Sequence, residues 1–215
     1  MTGQKGKTGS WFSPALLGWL AASIFYFYQY MLRSAPAAMV PQLSQAFDVT
    51  AAGLSTLMGL FYYGYAPFSL VAGIAMDKLG PRRVTPIAAA TVGAGALLFS
   101  TGNLALAAAG CFLEGAAAVF AFVAAVYIAT TRFPGSQAAS LIGLTQMLGM
   151  MGGITGVFLV GPTIAAGLSW NMFWLRIGIA GILLAAVQLA LMPKEQPGGK
   201  ATKATAAGGW MRDVV

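Results

Sequence analysis

The sequence predicts an all-α membrane protein of six transmembrane helices, with both termini in the cytoplasm. Three observations predict it. The chain has 215 residues, 58% of them hydrophobic and only 8% charged, whereas a soluble domain carries about 25% charged residues. So few charges cannot coat a water-facing surface. The apolar residues also gather into long runs, each near the roughly 20 residues that a helix needs to cross the hydrocarbon core. Finally, ten of the twelve basic residues fall on one side if the runs alternate across the bilayer. Lys5 and Lys7 precede the first run, and Lys78, Arg82 and Arg83 separate the second from the third. Arg132 ends the fourth, and Lys194, Lys200, Lys203 and Arg212 follow the sixth. This is the positive-inside distribution. The net charge of +7 is therefore a topology signal, and no nucleic-acid partner is expected.

Taken in order, residues 1–10 form a polar cytoplasmic tail, and residues 11–192 hold the six-helix bundle. The first helix runs from Trp11 to near Val40, with Pro36 and Pro41 kinking or ending it. Lys5 and Lys7 ahead of an apolar run also fit a signal peptide, but the run is too long for one and Arg33 lies inside its far end. Residues 42–50 make the first outside loop. The second helix spans residues 51–76 and ends in a charged turn over residues 77–83. The third spans 84–100, and Gly102-Asn103 turns into the fourth, 104–131. An inside turn at 132–136 leads to the fifth helix, 138–164, and the sixth covers 170–192. Continuous strands are not expected, because apolar runs this long must satisfy their backbone hydrogen bonds internally, which leaves helices. The fifth helix carries Gly143, Gly149, Gly152, Gly153 and Gly156, small residues at the spacing that lets membrane helices approach closely. Residues 193–215 read as a cytoplasmic linker leading toward a further ordered element.

Between the second and third helices stands Gly73-Ile74-Ala75-Met76-Asp77-Lys78-Leu79-Gly80-Pro81-Arg82-Arg83. Gly73 is expected to permit close helix approach and Gly80 a sharp turn. Asp77 is placed to cap or pair at the membrane edge, and Arg82 and Arg83 to anchor the loop on the cytoplasmic face. The stretch resembles the signature G-x-x-x-D-[RK]-x-G-x-[RK]-[RK] of the major facilitator superfamily. The resemblance covers the whole chain and implies one half bundle of 3+3 repeats. A second six-helix half is then expected, in the same parent chain, in a separate chain or in a homodimer. The substrate site would lie between the halves near the midplane, with the Asp77 position contacting the other half. Gly156 and Gly161-Pro162 loosely match the glycine-proline motif of family antiporters.

Ionisable residues inside apolar runs are costly and usually functional. On a 3.6-residue period Arg33 shares a face with Tyr26 and with Gln29 or Tyr30. An aromatic face ending in a guanidinium suits an anion, because Arg clamps carboxylate or phosphate through parallel hydrogen bonds. The segment Tyr30–Pro36 also resembles the first helix of organic-anion members, where the resemblance implies that Arg binds a sugar acid, sugar phosphate or similar anion. The competing reading of Arg33 is snorkelling to the headgroups. Tyr62, Tyr65 and Ser69 form a stripe on the second helix, and Gln146 is the polar point of the fifth. Tyr62, Tyr65 and Gln146 are taken as substrate-lining candidates beside Tyr26, Gln29 and Tyr30.

Glu114 sits about mid-depth in the fourth helix. Removal from water penalises the charged form of a carboxylate, which makes Glu114 the proton-coupling candidate. Its competing role is a structural pair with Arg33 or Arg176. Where family members often carry Arg, this chain has Cys111, which places that coupling in question. Arg176 is read as snorkelling beside an aromatic belt of Trp170 and Trp174.

With one cysteine and no histidine, neither a disulfide framework nor a Cys/His metal site is expected, and no cofactor. The chain lacks a phosphate-cradling Gly-x-x-x-x-Gly-Lys-[Ser/Thr] loop and a nucleophile–base–orienter set, so an enzyme is not expected. The resemblance implies a secondary transporter, symporter or antiporter, working by alternating access in a bacterial cytoplasmic membrane. It would move a small organic anion, with or without a coupling proton, as half of a twelve-helix assembly. The alternative is a transport-inactive scaffold or sensor, or a truncated fragment, that keeps the half fold.

Overall fold

In the computed structural model, residues 13–158 and 160–192 are described. The expected tail, the start of the first helix at Trp11, the linker and their basic residues lie outside them. Within the described residues six helical spans are long and apolar enough to cross a bilayer, and no strand is present.

Helix α1 (Pro14–Ser34) starts where Ser13 accepts a hydrogen bond from the Leu16 amide and Pro14 fixes the first turn. Pro36 ends it. The backbone tightens into a 3₁₀ turn, Ala35–Ala38, and restarts as the short α2 (Val40–Phe47). The expected loop at residues 42–50 is thus mostly helical. Pro41 at the head of α2 initiates a helix, and Leu43 and Phe47, one turn apart, bury into the core. Asp48 closes α2 in the left-handed region, at φ 51°.

Helix α3 (Ala51–Leu79) begins under a Thr50 cap, with Oγ1 accepting from the Gly53 amide at 3.1 Å. At 29 residues it is about 43 Å long. It runs through Asp77 and Lys78, so the charged turn is shorter than expected. Gly80 alone joins it to α4 (Pro81–Ser100), at φ 71° and ψ 161°. Asn103 caps α5 (Leu104–Arg132), its Oδ1 accepting from the Ala105 and Leu106 amides at 3.0 and 3.1 Å. Phe133 and Pro134 lead to α6 (Gly135–Phe158) and α7 (Val160–Ala165), which together form the fifth span. Gly167, at φ 100°, turns the chain into α8 (Trp170–Leu191).

The α3–α4 and α5–α6 connections lie at one end of the bundle, called here the signature end. The α2–α3, α4–α5 and α7–α8 connections lie at the opposite end. Helix α1 packs on α6 and α5, α3 on α5, and α4 on both α5 and α8. More than half of each span is buried in α1, α4 and α5, against less than a third in α3, α6 and α8. The core has two parts. One centres on Phe25, Phe47, Phe99 and Trp174, the other on Trp19, Met76, Ile128 and Met192 at the signature end.

Small residues set how closely the helices meet. A Cβ at Gly115 would collide with the Phe61 backbone, and one at Gly64 with the backbone of Phe112 and Ala116. On α6, Gly152 and Gly156 lie against the backbone of Phe27 and Met31, and Gly149 against the Tyr26 ring. Two expectations need correction. A Cβ at Gly73 or at Gly143 would meet nothing within 4 Å, so neither glycine brings two described helices together. Both sit on outward faces of their helices.

Candidate functional site

Helix α1 presents Tyr26, Tyr30 and Arg33 along one stripe. The Tyr26 hydroxyl donates to Gln146 Oε1 on α6 at 3.0 Å and lies 3.3 Å from the Tyr30 hydroxyl, to which it can also donate. The two rings meet edge to face at 4.8 Å, and Phe122 of α5 backs Tyr26 at 5.1 Å. Arg33 continues the stripe. Its guanidinium carbon stands 5.2 Å from the Tyr30 ring, 5.6 Å from Phe61 and 5.3 Å from Tyr62. Each such contact is worth about 0.5–1 kcal/mol at an exposed site. Phe61 in turn stacks on Tyr65 at 5.8 Å. Rings from two helices therefore hold the cation in place, and no ion pair to Arg33 occurs among the described residues.

Of the two residues predicted to share this face, Tyr30 is the one on the stripe. Gln29 is buried at 3% exposure, and its Oε1 has no protein partner among the described residues. Ser69 turns outward and bonds back to the Ala66 carbonyl at 2.7 Å.

Beside Arg33 a cavity of about 590 Å³ opens between α1 and α3. Arg33 and Tyr62 line it, as do Glu114 and Cys111 of α5, Phe99 of α4 and Trp174 of α8. Glu114 is 6% exposed, its Cγ against Gly95 of α4. Neither Arg33 nor Arg176 forms a salt bridge with it among the described residues, and its Oε1 has no protein partner there. Tyr26, Gln29, Tyr30, Tyr65 and Gln146 do not line the cavity. They form or flank the polar stripe next to it.

One further correction comes from α8. Trp174 is not a belt residue. It is 1% exposed and packs on Phe99 at 4.4 Å. Arg176, two residues on, is exposed. At the signature end Asp77, Lys78 and Arg83 are exposed, Arg82 is half-buried and Gly80 makes the sharp turn expected of it. Phe61, Phe122 and Trp174 join the site without a sequence signal that marks them for it. The helical period links Phe61 to Tyr65, but nothing in α3 alone says that Arg33 will lie against it.

Six long apolar spans define an integral, multi-pass membrane protein. A family model described as Major Facilitator Superfamily matches residues 13–210, and the chain belongs to that family. A hexuronate transporter of Bacillus subtilis (strain 168) is 30% identical over 174 residues, covering 78% of this chain and 40% of its own. A gallate transporter of Pseudomonas putida is 29% identical over 181 residues, covering 80% of this chain and 39% of its own. The chain thus spans about two fifths of the length of these curated relatives. Both of these relatives are named as transporters.

Proposed function

We propose that this chain supplies one half of a twelve-helix secondary transporter that moves a small organic anion by alternating access. The observation that carries the reading is Arg33, an exposed guanidinium held by three aromatic rings beside an open cavity and without a carboxylate partner among the described residues. An Arg held this way keeps its hydrogen-bond donors free for a carboxylate or phosphate. Tyr26, Gln29, Tyr30, Tyr62, Tyr65 and Gln146 are assigned to the lining of the substrate path, and Glu114 to proton coupling. Asp77, with the rest of the signature segment, is assigned to contact with the second half.

The names of the two relatives support an acidic substrate, since a hexuronate and gallate each carry a carboxylate. Their bacterial sources fit a place in the bacterial cytoplasmic membrane. The basic residues between and beyond the spans support cytoplasmic termini, with residues 193–215 as the linker between halves.

The test is ligand-induced thermal stabilisation of the protein in its membrane-extracted assembly, with a hexuronate, gallate and sugar phosphates as the panel. At least one anion should raise the melting temperature. Arg33→Ala should weaken that response roughly tenfold or more, as expected for a lost charged hydrogen bond. A panel without effect, or an undiminished response in Arg33→Ala, would defeat the proposal.

A further inference from the structure

The cavity between α1 and α3 offers few polar groups, and they are unevenly placed. Arg33 and Tyr62 stand at its exposed side. Of the two serines on its wall, Ser55 donates its hydroxyl to the Ala51 carbonyl at 2.9 Å, and Ser34 has its oxygen beside Gly153 of α6. At the buried side lie Glu114, at 6% exposure, and Trp174, at 1%. Glu114 Oε1 and Trp174 Nε1 both lack a protein partner among the described residues. The Glu114 side chain rests on Gly95 and the Trp174 ring on Phe99, residues one turn apart on α4. The rest of the wall is mostly carbon, with Leu32, Leu54, Met58, Phe61 and Phe99 prominent in it.

A buried acceptor and a buried donor, each unpartnered, are costly until something pairs with them. One hydroxyl can pair with both, since it donates one hydrogen bond and accepts others. We propose that the anion held by Arg33 is a hydroxylated aromatic acid. Its carboxylate sits on the guanidinium and its ring lies against Phe61 and Phe99. Its hydroxyl donates to Glu114 Oε1 and accepts from Trp174 Nε1–H. The proposal rests on the reading of Arg33 as an anion site and deepens it by naming the body that the anion carries. A sugar acid suits this wall poorly. It carries several hydroxyls around its ring, and beyond the first each would press against carbon, losing its bonds to water without replacement. An aromatic ring gains from burial against the same side chains, through apolar area and through edge or offset ring contacts. Volume does not separate the two, since about 590 Å³ holds either. The polar partners do, as in other ligand sites where a few placed polar groups in an apolar wall set specificity. Glu114 and Trp174 are thereby specificity-determining residues, on helices other than the one that carries Arg33.

The experiment is equilibrium binding, by isothermal titration, to the protein in its membrane-extracted assembly, with 4-hydroxybenzoate, benzoate and glucuronate as probes. 4-Hydroxybenzoate should bind tightest, with benzoate and glucuronate each roughly tenfold or more weaker, because a site that pairs a hydroxyl rejects the analogue lacking it. Trp174→Phe should cut the preference for 4-hydroxybenzoate over benzoate to about threefold or less while benzoate binds as in wild type. Glu114→Leu, apolar and of similar size, should do the same, and it serves where Trp174→Phe does not fold. Benzoate equal to 4-hydroxybenzoate in the wild type, or an undiminished preference in either folded variant, would overturn the hydroxyl pairing. Glucuronate binding as tightly as 4-hydroxybenzoate would overturn the aromatic class and leave the anion reading of Arg33 standing. So would silence of all three probes while a sugar phosphate still stabilises the protein in an Arg33-dependent way. Silence toward every anion removes both readings together.

Discussion

Two seams hold the bundle together, and they are built differently. Where α3 meets α5, the mid-membrane contact is glycine against backbone, Gly115 on Phe61 and Gly64 on Phe112 and Ala116. Where α1 meets α6, glycines again allow the approach, but side-chain hydrogen bonds are added. Trp19 Nε1–H donates to Thr145 Oγ1 at 3.0 Å, Ser23 and Thr145 share a bond at 3.1 Å, and Tyr26 donates to Gln146. In lipid no hydrophobic force drives helices together, so close packing and interhelical hydrogen bonds must do it. The first seam is fixed by shape. The second is fixed by shape and by register, and it carries the polar stripe that leads to Arg33.

The largest effect should come from breaking the shape-only seam. Gly115→Val puts side-chain carbon into the Phe61 backbone, which cannot move as a side-chain tip would. Overpacking of this kind costs about 3 kcal/mol or more, which corresponds to a fall of roughly 6–12 °C in melting temperature at this size. A melt matching wild type in detergent would mean that α3 and α5 are not apposed there.

Thr145→Val sharpens the comparison from the other side. It removes the acceptor of the Trp19 bond while keeping the volume. Such membrane hydrogen bonds average about 0.6 kcal/mol and reach about 1.7, so a drop of roughly 1–7 °C is expected. A loss as large as that from Gly115→Val would mean that register, and not packing, dominates the α1·α6 seam. The smallest effect belongs to Gly143→Ala. Its Cβ meets nothing within 4 Å, and alanine favours the helix by up to about 1 kcal/mol. The melting temperature should hold or rise slightly; a marked fall would place Gly143 in a contact outside the described residues.

The spans were legible because long apolar runs bounded by Pro, Gly and Lys or Arg leave few other readings. Helix α2 was not, since Pro41, Gln42, Ser44 and Gln45 look like loop chemistry until Leu43 and Phe47 are seen to bury on one face. The stripe from Tyr26 to Arg33 followed from the helical period alone. Its partners Phe61, Phe122 and Trp174 did not, because their positions depend on how far each helix slides past its neighbour. Small residues set that register, and their spacing marks a helix as close-packing without naming the helix it packs on. Gly73 and Gly143 show the limit, having the right residue and spacing but facing outward.

The connection at Gly80 has a mechanical consequence. Its backbone, at φ 71° and ψ 161°, lies in a region that only glycine occupies readily, and it is the one residue between a 29-residue and a 20-residue helix. A linker that short contains no slack, so α3 and α4 work as the arms of a bell crank. A rocking of α3 has to twist the pivot or swing α4, and with α4 the two helices it grips, α5 and α8.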